Sequence, residues 1–373
     1  MIHVNEPLLI GNEKKYLNEC IDSGWISSEG PFVKRFESEF ALTVGRKHAV
    51  AVSNGTAAID IAVEALGIKK GDEVVMPSFT IISCVNYLAK IGAIPVLIDS
   101  DPITWNMDVN QIENKITSKT KAIMVVHIYG LPVEMDLILD LAKKYKLKVI
   151  EDAAEMHGQT YKGKNCGSFG DISTFSFYPN KHITTGEGGM VVTNDPYLAT
   201  KCSELRNLCF KANQPRFVHE DLGWNYRMTN MQAAIGVAQL ERLDKIVKIK
   251  RKIGKAYIDG LKNLTCLQLP IEETGYADNI YWVFGIVLKD NVPFDAKEAM
   301  KKLADLGIAC RPFFWGMHEQ PILKKMGYFK GESYPVCENI SRRGFYIPSG
   351  LALTDEQINT VIKKVHEVFD EYC

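Results

Sequence analysis

Lys181 is the residue of this chain whose surroundings most clearly suggest covalent chemistry. It lies in the run TFSFYPNKHITTGEGG, between an apolar strand that contains Ser176 and a glycine-rich turn. A lone lysine is usually a solvated surface residue, but apolar, glycine-rich surroundings do not fit a charged helix face. An amine whose pKa is lowered by its site can attack an aldehyde and form a Schiff base. The run therefore predicts that Lys181 binds an aldehyde covalently, beside a phosphate that Ser176 contacts.

A carboxylate at the end of another predicted strand complements this lysine. The segment VIEDAA places Asp152 where a buried strand ends. An acid there can face the ring nitrogen of a pyridine cofactor and keep it protonated, so that the ring accepts electrons from a carbanion. Asp152 is favoured over Glu151 because successive strand residues point to opposite faces. A helix cap or a structural ion pair is the alternative. Together, Lys181 and Asp152 predict pyridoxal 5'-phosphate (PLP) as the cofactor.

Two further segments predict contacts to an anion. The run SNGTA, with Gly55 and Thr56, follows a predicted strand and begins a helix, so its N–H groups and hydroxyls suit a phosphate. The run GWNYRMT offers Asn225 and Arg227 just before a long predicted helix. Taken alone, each segment is better explained as an ordinary helix start. Their occurrence together with Lys181 and Asp152 favours a phosphate site.

The elements that must position these residues alternate between strands and helices. The hydrophobic pattern predicts strands at 47–52, 73–76, 94–98, 121–126, 147–151, 172–177 and 189–193. It predicts helices at 12–22, 31–44, 56–66, 80–91, 109–116, 134–145 and 197–207. Such alternation predicts an α/β fold with a mostly parallel seven-stranded sheet, whose ligands bind beyond the carboxyl ends of the strands.

The rest of the chain has a different pattern. Apolar residues at helical spacing predict one long helix over 228–261, and a strand (280–288), a helix (294–306), a strand (308–313) and a final helix from Thr354 follow. We expect a smaller α+β domain here, with the boundary between 245 and 265. The predicted domains are 1–250, a large PLP-binding domain, and 251–373, a small C-terminal domain on which the N-terminal segment packs.

Composition narrows the class of protein. The 373 residues include 44 basic and 45 acidic ones, a net charge of -1, which gives no electrostatic case for nucleic acid or an anionic membrane. The nine cysteines form no CxxC pair, so neither a metal site nor a disulfide framework is expected, and a cytoplasmic location is the simplest interpretation. Polar residues and Pro77 interrupt the apolar stretch 74–98, so no membrane span is expected.

The motifs, in the order SNGTAA, EDAA, FSFYPNKHITTGEGGM and WNYRMTN, resemble those of the DegT/DnrJ family of sugar aminotransferases. The resemblance extends over nearly the whole chain, and it implies PLP fold type I, the aspartate aminotransferase-like fold. The runs GWISSEGP, HIYG, RPFFWGMH and RRGFYIPSG are most similar to the GDP-perosamine synthases of that family. Those enzymes transfer an amino group from L-glutamate to C4 of GDP-4-keto-6-deoxy-D-mannose, which implies a role in O-antigen and lipopolysaccharide biosynthesis.

The resemblance also implies residue roles. Lys181 is then the Schiff-base lysine, holding PLP as a covalent aldimine and shuttling protons, and Asp152 pairs with the pyridinium nitrogen. Glu155 lies beside the ring. Gly55, Thr56 and Ser176 hold the phosphate, and Asn225 reaches it from a neighbouring subunit, so a homodimer with shared active sites is implied. The implied substrate contacts are Trp25, Ser27, Ser28, Arg227, Arg311, His318 and Arg343.

Two positions distinguish between branches of this family. Many relatives place an aromatic residue after PxxT, where this chain has Ile81, so either this aliphatic side chain covers the ring, which is favoured, or Phe79 contributes. A related dehydratase branch replaces the lysine by histidine, but the spacing from Ser176 puts Lys181, and not His182, at the imine position. Aminotransfer is therefore favoured over 3-dehydration. Two competing interpretations are a transaminase for a UDP- or dTDP-linked 4-keto or 3-keto sugar and a non-enzymatic PLP-binding regulator.

Overall fold

Strands and helices alternate along the first two hundred residues in the computed structural model, which describes residues 1–211 and 214–373. The strands of the described residues are β1 (His48–Val52), β2 (Glu73–Pro77), β3 (Ile94–Ile98), β4 (Thr120–Val126), β5 (Lys148–Asp152), β6 (Thr160–Tyr161), β7 (Lys164–Asn165), β8 (Ile172–Ser176), β9 (Gly189–Thr193), β10 (Leu267–Gln268), β11 (Phe284–Leu288), β12 (Arg311–Pro312) and β13 (Gly344–Ile347). The helices are α1 (Glu13–Ser23), α2 (Pro31–Val44), α3 (Gly55–Ala65), α4 (Ser83–Ile91), α5 (Met135–Tyr145), α6 (Pro196–Leu205), α7 (Asn230–Leu240), α8 (Leu243–Leu261), α9 (Ala296–Asp305), α10 (Pro321–Lys325), α11 (Pro335–Arg343) and α12 (Asp355–Phe369). Four short 3-10 turns accompany them, at Val109–Gln111, Glu113–Lys115, Met317–Glu319 and Asp370–Tyr372.

The large sheet confirms the predicted fold class. Its seven strands lie in the order β1-β9-β8-β5-β4-β2-β3, and all neighbours are parallel except those that pair with β9. Because β5 and β8 are adjacent and parallel, Asp152 pairs in register with Thr174, two residues before Ser176. The carboxyl ends of these two strands therefore bring the predicted acid and the predicted phosphate ligand to the same edge.

Helices cover both faces of this sheet, so its central strands are buried along most of their length. On one face, α2 buries Phe36 and Phe40 against Phe175 and Phe177 of the β8 segment. On the other face, α3 and α4 bury a second apolar cluster that includes Ile61 and Leu88. Each such large side chain contributes roughly 1.5–3 kcal/mol by leaving water, and this packing fixes the edge where the strands end.

The later part of the chain forms an antiparallel sheet in the order β10-β11-β13-β12, packed against α8, α9 and α12. The N-terminal segment joins this sheet region, since Ile2 forms a bridge with Ile308 and Val4 accepts a hydrogen bond from the N–H of Ser349. The position predicted for the domain boundary, residue 250, lies inside α8. The boundary itself stays a prediction.

Several predicted elements are wrong in detail. The helix over 109–116 is two 3-10 turns, because Asp108 caps only the first turn and Ile116 is already extended. The long helix is divided into α7 and α8 at Glu241, whose carboxylate accepts hydrogen bonds from Asn12 and Tyr16 of the N-terminal region. The strand that we predicted from residue 280 begins at Phe284, because Tyr281 has a left-handed backbone (φ 50°).

The sequence suggested no disulfide framework, but the structure contains a disulfide. Cys266 and Cys373 form a disulfide, with their Cα atoms 4.9 Å apart. They are 107 residues apart in the chain, so only the tertiary fold brings them together. The cytoplasmic location stays a prediction. Within residues 1–211 and 214–373, no helix combines the length and the apolar character that a membrane crossing requires.

Candidate active site

A cavity of about 360 Å³ opens at the carboxyl edge of the large sheet. Its volume is in the range of small-molecule sites in proteins. The predicted cofactor-site residues that line it are Gly55, Thr56, Ile81, Asp152, Glu155, Ser176 and Lys181. The structure therefore brings into one cavity most of the residues that four separate sequence segments suggested.

Lys181 projects into this cavity from the turn that follows β8. Its amine lies 3.8 Å from Glu155 Oε1 and 3.6 Å from the centre of the Trp282 ring. Burial lowers the pKa of Lys181, and the nearby carboxylates of Glu155 and Asp152 oppose that effect only in part. A lowered pKa increases the fraction of neutral amine, which is the form that attacks a carbonyl.

His182, the rival for the imine position, faces away from the cavity. It is buried, and its Nε2 lies 3.4 Å from the carbonyl oxygen of Ile280. Burial lowers the pKa of His182 well below its ordinary value. The structure thus places the lysine, and not the histidine, beside Asp152.

Asp152 and Glu151 have opposite environments at the end of β5. Asp152 lines the cavity, where its Oδ1 accepts a hydrogen bond from the N–H of Ala154 (3.0 Å) and its Oδ2 lies 3.5 Å from Cys84 Sγ. Burial raises the pKa of Asp152. Glu151 points to the other face, where it accepts hydrogen bonds from the N–H groups of Gly167, Phe169 and Gly170 and from Ser173 Oγ. The alternation of strand residues thus leaves Asp152 as the acid that can contact a ligand.

Glu155 lies between Lys181 and the turn after β4. Its Oε2 accepts a hydrogen bond from the N–H of Tyr129 at 2.6 Å. Burial raises the pKa of Glu155 to about 8, which favours the protonated carboxyl group in this cavity. A protonated carboxyl can donate a hydrogen bond to a ligand as well as accept one.

The start of α3 and the end of β8 form a cradle for an anion. Asn54 is the N-cap, since its side chain accepts the N–H of Ala57 (2.8 Å). Thr56, two residues after this cap, lines the cavity, and its hydroxyl lies 2.8 Å from Ser83 Oγ. A Cβ atom on Gly55 would lie 2.7 Å from the Cβ of Ser176, so only glycine permits this approach of helix and strand. The N–H groups at the start of α3 and the hydroxyls of Thr56, Ser83 and Ser176 together suit a phosphate.

The sequence did not predict the aromatic side of the cavity. Tyr178, Trp282, Phe314 and Tyr346 line it, and Ser83 is a further unpredicted lining residue. Trp282 lies in the apolar run YWVF, where composition does not separate a ligand contact from a core residue. Ile81 lines the cavity, whereas Phe79, the other candidate for covering the ring, is fully buried.

Eight predicted residues do not line this cavity of the single chain, and five of them lie in the segments 25–28 and 225–227. Arg227 donates from Nε to Asn225 Oδ1 (2.8 Å), and Arg227 and Ser28 line a separate cleft of about 200 Å³. Trp25 and Ser27 are exposed, and their carbonyl oxygens accept hydrogen bonds from Asn230. Ser28 and Arg227 therefore bring the two segments together at this cleft, apart from the cavity that holds Lys181.

The remaining predicted sugar contacts differ in position. Arg311 pairs with Tyr346 between β12 and β13, next to the cavity wall. His318 is buried against Tyr334 and lies 3.0 Å from Glu338, away from the cavity lining. The Arg343 guanidinium donates to the carbonyl oxygens of Leu288, Lys289 and Val292, which explains it as a structural residue. Substrate contacts by His318 and Arg343 stay predictions that this geometry does not support.

The chain is similar to known proteins in both sequence and structure. The sequence profile of the DegT/DnrJ/EryC1/StrS aminotransferase family matches residues 7–366. A GDP-perosamine synthase of Escherichia coli O157:H7 is 44% identical over 370 residues, which is 99% of this chain and 99% of that protein. An aminotransferase structure from Psychrobacter cryohalolentis has a TM-score of 0.92 and 31% identity, covering 100% of both chains. A mutant GDP-4-keto-6-deoxymannose-3-dehydratase with bound GDP-perosamine has a TM-score of 0.89 and 26% identity, covering 97% of this chain and 100% of that one.

Proposed function

This chain belongs to the DegT/DnrJ/EryC1/StrS aminotransferase family, which includes PLP-dependent enzymes, and from that premise we propose its reaction. The chain transfers an amino group from L-glutamate to C4 of GDP-4-keto-6-deoxy-D-mannose and forms GDP-perosamine. The observation that carries this assignment is the 44% identity, along 99% of both chains, to a GDP-perosamine synthase.

The side chains that line the cavity suit PLP in their chemistry. Lys181 is the amine that binds the cofactor aldehyde, and Asp152 is the carboxylate for the ring nitrogen. The cradle of Gly55, Thr56 and Ser176 suits the phosphate, because a helix start and hydroxyl groups converge there. Ile81 is positioned to cover one side of the ring.

The other tasks of the proposed transamination fall to different residues of the cavity. Bound PLP supplies an electron sink for the carbanion that forms when a proton leaves the amino donor. Lys181, with its lowered pKa, takes that proton in the first half-reaction and delivers one to the sugar carbon in the second. Asp152 keeps negative charge at the ring nitrogen, and Glu155 holds a proton beside Lys181. Trp282 and Phe314 keep water from the reacting atoms.

We further propose that the active enzyme is a homodimer with shared sites. Asn225 and Arg227 lie outside the cavity of their own chain, although resemblance assigns Asn225 to the cofactor phosphate. A second subunit that presents this surface to the cavity would reconcile the two observations.

Covalent attachment is tested by borohydride reduction of the PLP-loaded protein, followed by peptide mass spectrometry. We expect the cofactor on Lys181. Lys181→Ala is expected to abolish transamination, with Lys164→Ala, an exposed lysine, as the control. Transamination by Lys181→Ala at the normal rate would show that the assignment is wrong.

The sugar is tested separately, with a panel of GDP-, UDP- and dTDP-linked 4-keto sugars and with glutamate as donor. We expect the highest kcat/KM with GDP-4-keto-6-deoxy-D-mannose. Equal or better turnover of a UDP- or dTDP-linked sugar would overturn the perosamine assignment and leave the aminotransferase assignment intact.

A further inference from the structure

Lys250 is a buried lysine that the proposed reaction does not use. It lies on α8, and its amine donates hydrogen bonds to two backbone carbonyls, Trp282 O at 2.9 Å and Ser349 O at 2.6 Å. Burial lowers the pKa of Lys250 to about 7. A buried amine whose acceptors are uncharged carbonyls is costly, so its contacts require an explanation.

The carbonyl of Trp282 belongs to a strained turn. Tyr281, just before it, has a left-handed backbone (φ 50°), which a bulky residue rarely adopts. The turn packs on Gly130 so closely that a Cβ there would lie 2.5 Å from the nitrogen of Tyr281. The N–H of Tyr281 is held by Asn279 Oδ1 at 2.7 Å. Lys250 holds the other end of the turn.

Trp282 in turn covers the reactive lysine. Its Nε1 donates to the carbonyl oxygen of Asn180 (2.8 Å), one residue before Lys181, and its ring face lies 3.6 Å from the Lys181 amine. The ring position therefore depends on a hydrogen bond at its edge and on the bond from Lys250 to its backbone. An indole face near an ammonium stabilises the charged form, and the same ring excludes water.

We infer that Lys250 is a positioning residue, which holds the backbone of Trp282 so that its ring lies on the amine of Lys181. The inference rests on the proposed function in one respect, because that function requires the amine of Lys181. Lys250 acts through Trp282 and does not contact the reacting atoms.

Other titratable groups also affect the pKa of the Lys181 amine. Glu155, Asp152 and Cys84 face its amine from the cavity side, and His157 and His182 lie behind it, with His182 also close to Lys250. A change at Lys250 must therefore be shown to act through Trp282 and not through one of these groups. A double-mutant cycle makes that distinction.

The experiment uses PLP-free protein and measures the reactivity of the Lys181 amine with a trace of acetic anhydride as a function of pH. Lys250→Met, Trp282→Ala and the double variant are compared with Lys248→Met, which changes an exposed lysine of the same helix. We expect Lys250→Met to change the proton affinity of Lys181 by about threefold or more, the scale of a cation–π contact. We expect no further change when it is added to Trp282→Ala, and none with Lys248→Met.

An unchanged Lys181 titration in Lys250→Met would overturn the inference, and so would an undiminished effect in the Trp282→Ala background. If Lys250→Met does not fold, Lys250→Arg provides the test, because arginine keeps hydrogen-bond donors at this position. Lys250→Arg must then retain the wild-type titration of Lys181, and a changed titration would overturn the inference. Failure of the proposed function would be visible separately, as PLP that borohydride does not fix on Lys181.

Discussion

Glu151 and Asp152 show how neighbouring carboxylates of one strand acquire different roles. Glu151 accepts hydrogen bonds from several donors between residues 167 and 173, whereas Asp152 has few donors and faces a cavity. Burial alone raises the pKa of a carboxyl group. In Glu151, hydrogen bonds from His127 and from the N–H groups of Gly167 and Phe169 outweigh burial and lower the pKa. Glu151 is therefore fixed as an anion for structure, and Asp152 is left to contact a ligand.

The pair gives a matched prediction. Asp152→Asn keeps the shape but removes the charge, and we expect kcat to fall about a hundredfold or more with little loss of stability. Glu151→Gln replaces an acceptor oxygen by a donor that faces other donors, and we expect a loss of about 1–3 kcal/mol in the free energy of unfolding. Steady-state kinetics and urea unfolding of both variants check this. A stable Glu151→Gln protein with a catalytic defect as large as that of Asp152→Asn would contradict it.

At the scale of elements, the site depends on how closely the start of α3 approaches the end of β8. The sequence predicted both elements, because their apolar runs and the SNGTA segment are local signals. It could not predict the distance between them, which arises when Gly55 meets Ser176 in the folded sheet. The same limit applied to α7 and α8, whose division at Glu241 involves partners in the N-terminal region.

Gly55→Ala tests this approach. The added Cβ would lie 2.7 Å from Ser176 Cβ, so the helix start must move away from the strand. We expect PLP to bind about tenfold more weakly, as measured by equilibrium titration of the PLP-free protein. Gly275→Ala, where the added atom meets open space, is the control and should bind PLP normally. Unchanged affinity in Gly55→Ala would show that the cradle does not hold the phosphate.

Lys250 gives helix α8 a pH-dependent contribution to stability. Its folded pKa of about 7 lies below the ordinary value of 10.5, so between these values the folded chain binds fewer protons than the unfolded chain. The free energy of unfolding must then rise with pH across this window, while below pH 7 the full cost of the buried charge remains. From pH 7 to 9 we expect wild type to gain on the order of 2 kcal/mol relative to Lys250→Met. Urea unfolding checks this, and a difference that does not vary with pH would contradict it.

At the scale of the whole molecule, the site joins residues that are far apart in the chain. The lysine, the acid and the cradle were predictable because each lies in a short segment with a chemical signature. Trp282 and Tyr346 were not, since they follow Lys181 by more than a hundred residues and reach it only when the second sheet packs against the first. The proposed homodimer would extend the same principle to a second subunit, through Asn225 and Arg227.

Mixed dimers test that extension. Lys181→Ala and Asn225→Ala homodimers are each expected to be strongly impaired. After subunits are exchanged at equal amounts, half of the dimers are mixed, and each mixed dimer contains one intact site if Asn225 acts across the interface. We expect activity to return to about a quarter of wild type, measured after exchange in mild denaturant. Activity that stays at the level of the two parents would show that the sites are not shared.

The contact between Trp282 and Lys181 also has an optical consequence. The chain has five tryptophans, and among its described residues Trp282 is the one that lines the cavity. A conjugated cofactor ring joined to the Lys181 amine would lie within a few ångströms of this indole, close enough to accept its excitation energy. If Lys181 binds the cofactor as proposed, the loss of Trp282 fluorescence on loading would report occupancy without a label.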